Sequence, residues 1–122
     1  MKKLLLALLL FLPTTALAQP TVRFTADVYN DCSQTSQTAC YDNHTKTIWI
    51  SEFVDPKNLQ YIFLHEYGHY LTLDYPQAEL IKRFGNIKPY ERAADEFYLF
   101  VKYPAFQTVD SIRFWSPLMM KN

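Results

Sequence analysis

The chain is short of several things, and each shortage removes a class of function. Its longest unbroken apolar run, Leu4–Leu12, has nine residues. A helix needs about 20 to span a bilayer, so no transmembrane helix is expected. Charge of one sign is lacking too, since 12 Lys+Arg stand against 12 Asp+Glu. That balance leaves no electrostatic footprint for nucleic acid or for an anionic membrane surface. Cysteine is scarce: Cys32 and Cys40 are eight residues apart with no paired histidine beside them, which is poor spacing for a zinc site. There is no internal repeat, no low-complexity tract and no linker long enough to separate a second domain, so one domain with a modest core is expected.

The N-terminus carries its own signal. Met1-Lys2-Lys3 is a basic start, Leu4–Leu12 is apolar, Pro13 breaks the run, and Ala16-Leu17-Ala18 is a small-x-small cleavage pattern. Together these predict a secretory signal peptide of bacterial type over residues 1–18. The domain is then 19–122, without a membrane anchor after cleavage, and exported to the periplasm or beyond. Removing Lys2 and Lys3 leaves ten basic against twelve acidic side chains, a net charge of about −2. Export implies an oxidising compartment, so Cys32 and Cys40 are expected to form one disulfide across a short polar loop. The alternative reading, both thiols on a metal, stays open.

Thr21–Tyr29 alternates, with Val22, Phe24, Ala26 and Val28 on one face, and reads as a half-buried strand. Ala39–Tyr41 and Thr47–Phe53 flank the turn-like Asp42-Asn43-His44-Thr45-Lys46 and read as a hairpin. Asp55-Pro56 is a helix start, with Asp as cap and Pro in the first helical position. That helix runs to about Leu73 and should be largely buried. Asp74 is expected to cap a second helix, which Gly85-Asn86 ends. A third opens at Pro89 and stops before Pro104, with Ala94, Phe97, Phe100 and Val101 as its apolar stripe. The tail after Ala105 is too apolar to be free in solvent. It either completes the core or lies across a cleft. The fold class expected is α+β: a small antiparallel or mixed sheet of about three strands, packed on one central helix and two others.

The chemistry concentrates in His65-Glu66-Tyr67-Gly68-His69, an H-E-x-x-H pattern on the first helix. Side chains four apart lie one above the other on a helix, so His65 and His69 can address one metal ion, with Glu66 beside it. Two neutral nitrogens and an adjacent carboxylate suit zinc and the protons of its water. The plainer reading is an amphipathic core helix with two unrelated histidines. A catalytic zinc needs three protein ligands and one open position. On the third helix, Glu91 and Asp95 are four apart. Glu91 can complete the site, and Asp95 can accept a hydrogen bond from the far nitrogen of a ligand histidine. Alternatively, Glu91 is an ordinary first-turn acid at a positive helix end. Glu96 points about 100° away from Asp95.

These residues resemble the gluzincin clan of zinc metallopeptidases. HEYGHY followed by ERAADEF is similar to the ImmA/IrrE-type and other minimal members, over about Thr47–Tyr103. The resemblance implies a zincin-like domain, with Zn2+ on His65, His69 and Glu91, Asp95 behind a histidine, and Glu66 as general base. A peptide or protein would be the substrate, lying along a strand edge at Thr47–Ser51. The metzincin pattern fails, because Thr72 and Tyr75 stand where it needs Gly and His. The second subdomain of large gluzincins is absent. A second oxyanion donor is not identified, although Tyr90, Tyr98 and His44 are candidates by residue type. The competing class is an exported interaction module with a structural or vestigial zinc.

Overall fold

The computed structural model describes residues 19–32 and 35–120. The expected signal peptide, residues 1–18, lies outside them. The order is β1 (Thr21–Thr25), a one-turn α1 (Val28–Asp31), β2 (Ala39–Asp42), β3 (Thr47–Ser51), α2 (Leu59–Thr72), α3 (Gln77–Phe84), α4 (Pro89–Lys102) and α5 (Val109–Met119). Short 3-10 turns at Pro56–Asn58 and Pro104–Phe106 precede α2 and α5. This is a small α+β fold, as its pattern predicts. Among the described residues no helix is long and apolar enough to cross a membrane.

The sheet has the order β1-β3-β2, with β1 parallel and β2 antiparallel to β3. Ile48 and Ile50 face α2 and are almost fully buried, packed with Ile62, Phe63 and Tyr67. Two expectations need correction here. The first strand ends at Thr25, not Tyr29, because the Asp27 carboxylate accepts the backbone N–H of Asn30 and caps α1. Alternation continues through Ala26 and Val28, but a side-chain cap takes over the backbone there. Its apolar face is also less covered than expected. Val22 and Phe24 register with Ile48 and Ile50 but are 41% and 54% exposed, since α2 sits under the β2–β3 half of the sheet. The second correction is that β3 is no free edge, because both its sides are paired. The strand bordering the cleft is β2.

The disulfide joins Cys32, just after α1, to Cys40 on β2. It ties α1 to the sheet, helped by a hydrogen bond from the Thr25 hydroxyl to Asp31.

The helix boundaries largely follow their local signals. Asp55 accepts the N–H of Lys57, with Pro56 next. Within α2 only Gln60 and Tyr61 are exposed. Gly85 ends α3 at φ 88°, donating to the Ile81 carbonyl. The expected Asp74 cap does not form: α3 starts at Gln77, with Pro76 in the cap position and no side-chain cap. Pro76 sets the start by its fixed φ.

The tail forms a helix that the sequence reading did not assign, α5, capped by the Thr108 hydroxyl accepting from Ser111 N–H. Trp115 is fully buried against Phe97, Phe100 and Phe114. Its indole N–H donates to Glu96 at 2.9 Å. Arg83 joins the same carboxylate, donates to Asp110 at 2.7 Å and lies over the Phe114 ring at 4.5 Å. Glu96 therefore fastens α3, α4 and α5 together, on the side of α4 away from Asp95. The described part of the tail, through residue 120, completes the core and is not among the residues lining the cleft.

Trp115→Ala should cost about 3–5 kcal/mol by cavity formation, a large part of a total of about 5–15 kcal/mol. Urea unfolding of the purified protein checks this, and an unchanged midpoint would remove the tail from the core. Reducing the disulfide should cost about 2–3 kcal/mol by loop entropy, read in the same assay with and without a dithiol.

Candidate metal centre

The site is built where α2 crosses α4. Gly68 makes that crossing possible: a Cβ there would stand 2.8 Å from the Ala94 backbone and 3.2 Å from Phe97 Cβ. Ala94 is fully buried at the contact. With hydrogen at Gly68 facing the small Ala94, the helices come close enough at this point for the first turns of α4 to reach the histidines.

His65 and His69 project from one face of α2, their Nε2 atoms 3.2 Å apart. His65, Glu66 and His69 form a group able to hold a metal ion, with ligand atoms all within 4.8 Å of one another. Glu91 comes closer still. Its Oε1 is 3.1 Å from His65 Nε2, and its Oε2 is 2.8 Å from His69 Nε2. Donors around a tetrahedral zinc, each about 2.0–2.1 Å from it, stand about 3.3 Å apart. The two imidazole nitrogens stand near that spacing, and Glu91 offers a different oxygen to each of them, so its carboxylate is within reach of a cation held by the pair.

Asp95, one turn further on α4, has Oδ1 2.8 Å from His65 Nδ1. The Tyr61 hydroxyl donates to the same oxygen at 2.7 Å. An ionised carboxylate only accepts, so the contact with Asp95 favours a proton on His65 Nδ1, and a cation between Nε2 and Glu91 would then meet the lone pair of Nε2.

Glu66 lies on the sheet side of the histidines. Burial pushes its carboxyl up to about 7; His65 opposes the shift, Glu91 adds to it, and a hydrogen bond from the Tyr41 backbone N–H opposes it. Burial also lowers the pKa of His69, against the pull of Glu91, and so favours the neutral imidazole that metal binding needs. The Tyr61 phenol is pushed up to about 12, by burial first and then by Asp95, and stays a donor.

These groups open on a cleft of about 640 Å³. α2 forms its floor, Glu91 and Asp95 one wall, and β2 with Ser36 and Thr38 the other. On β2 the backbone of Ala39 and Tyr41 turns toward the cleft: the Ser36 hydroxyl donates to the Ala39 carbonyl, and Tyr41 N–H serves Glu66.

All five site residues read from the sequence, His65, Glu66, His69, Glu91 and Asp95, therefore meet at one place. The three candidate oxyanion donors do not. His44 is exposed in the β2–β3 turn. The Tyr90 hydroxyl donates to the Tyr75 carbonyl. Tyr98 packs edge-on against Tyr61 outside the cleft lining. Sequence reasoning missed Gly68, although a glycine inside a helix is a sign of close packing. It also missed Tyr61, which is visible only as a residue four before His65 on the same face. No protein-family model, no curated protein and no solved structure matches this chain.

Gly68→Ala tests the crossing. Overpacking costs about 1–3 kcal/mol, while losing a helical glycine returns about 1 kcal/mol. The obstructing atom is backbone, so the cost should prevail, lowering the unfolding midpoint and weakening metal uptake together. A variant that is more stable and binds metal equally well would contradict the close crossing as the site's support.

Proposed function

We propose that this protein is an exported, zinc-dependent metallopeptidase that hydrolyses peptide bonds. The observation that carries the reading is the Glu91 carboxylate reaching both imidazoles, at 3.1 and 2.8 Å, from a different helix. A lone pair of histidines on a core helix would not explain that convergence. The resemblance of HEYGHY and ERAADEF to gluzincins points the same way, and the disulfide is compatible with export.

His65, His69 and Glu91 would hold the ion, and two imidazoles with one carboxylate suit zinc. When bound, the ion supplies Lewis-acid polarisation of a carbonyl and lowers the pKa of water to about 7. Asp95 keeps His65 in the tautomer that leaves Nε2 free. Glu66 takes the proton of the attacking water as its oxygen bonds to the carbonyl carbon. It then returns that proton to the leaving nitrogen as the C–N bond breaks.

An extended substrate would lie along the cleft side of β2, pairing with the backbone of Ala39 and Tyr41. The Ser36 hydroxyl would yield its hydrogen bond to the Ala39 carbonyl. The described residues lining the cleft include Glu66, Glu91 and Asp95 but no Lys or Arg. They offer no fixed positive charge to a free C-terminal carboxylate, and we read the activity as cleavage within a chain.

Purified protein should contain zinc and cleave unstructured peptides, and a chelator should abolish the cleavage. Glu66→Gln should lower turnover by about 10²-fold or more while retaining the metal. Glu91→Ala should lose metal and activity together. Equal hydrolysis by the Glu66→Gln protein would refute the mechanism, and zinc retained without hydrolysis in the wild type would favour a structural site.

A further inference from the structure

We infer that Tyr61 is a positioning residue for the cation held by His65, His69 and Glu91, acting through Asp95; the inference rests on that reading of the site. Tyr61 lies one helical turn before His65 on α2, so its hydroxyl reaches the carboxylate that the imidazole also contacts. Both donors converge on the single atom Asp95 Oδ1, the phenol at 2.7 Å and His65 Nδ1 at 2.8 Å. This shared acceptor is open to solvent. The Asp95 side chain is 53% exposed, and a carboxylate so open to water is free to turn away from the imidazole. The phenolic donor supplies a second fixed point, which holds the carboxylate in the orientation His65 needs.

The ring that carries the hydroxyl is itself held. Tyr98 of α4 packs edge-on against it, with centroids 4.9 Å apart and planes at 88°. The Lys102 ammonium lies 5.4 Å from the Tyr98 ring centre. The Tyr61 ring also stands 5.7 Å from that of His65. Position thus passes from α4 through Tyr98 and Tyr61 to Asp95, and from there to the ligand nitrogen. Groups behind a metal ligand tune affinity by fixing its tautomer and direction, and Tyr61 is one bond further out.

Zinc affinity, measured by competition with a chromophoric chelator, tests this on the wild-type protein, Tyr61→Phe, Asp95→Asn and the double variant. Tyr61→Phe keeps the ring contacts and removes only the hydroxyl. It should weaken zinc binding about 3–10-fold, against about 10–100-fold for Asp95→Asn. The double variant should be no weaker than Asp95→Asn alone, because Tyr61 acts through that carboxylate. The cobalt(II) absorption bands of the Tyr61→Phe protein should shift, while its unfolding midpoint in chelator matches the wild type. Wild-type affinity and bands in Tyr61→Phe would overturn the inference and leave the site standing. So would losses that multiply in the double variant, or a midpoint that falls without a change in affinity. A wild-type protein that takes up no zinc would overturn both.

Discussion

Two helices approach to backbone contact at Gly68 and Ala94, and the chemistry of the molecule hangs on that approach. α2 carries the imidazoles and Glu66, while α4 carries Glu91 and Asp95. Neither helix holds a complete site. A larger residue at the crossing would move Glu91 outward, and contacts of 2.8–3.2 Å between these side chains tolerate little displacement. The missing side chain at Gly68 costs helix propensity, and the return is the position of two carboxylates.

The rest of the fold holds this crossing in place. On one side the sheet buries Ile48 and Ile50 against α2 and turns Tyr41 N–H toward Glu66. On the other side α5 places Trp115 against Phe97 and Phe100 of α4. Glu96, one residue from Asp95, binds Trp115 and Arg83. Adjacent acids on one helix thus have opposite duties: Asp95 faces the cleft and Glu96 faces the core clamp. The disulfide secures α1 and β2, the strand that borders the cleft. In a domain of this size, with a modest core, such ties are proportionately important.

What the sequence reveals and what it hides divide along the range of the interaction. Helix ends were legible because their signals are local: Asp55-Pro56, Gly85, Pro89 and Pro104 act within a few residues. The i, i+4 spacing of His65 with His69, and of Glu91 with Asp95, is equally local. Pairing Glu91 with the histidines was legible only as a chemical requirement for a third ligand. Features set by distant partners were not legible. The end of β1 depends on a cap at Asp27, and the order β1-β3-β2 depends on which edge finds a partner. The α5 helix contains Pro117 near its end, which argues against a helix until its packing on α4 is known. Tyr61 looked like one aromatic among many until its hydroxyl was placed beside Asp95.

X-ray absorption at the zinc edge of the zinc-loaded, purified protein tests the central claim most directly. The account predicts one zinc per chain, scattering from two imidazoles, remaining donors that are oxygen, and no sulfur. The oxygen shell should change when Glu91 is replaced by alanine. Zinc held through sulfur, a spectrum without histidine, or a shell indifferent to Glu91 would contradict a site assembled at the α2–α4 crossing.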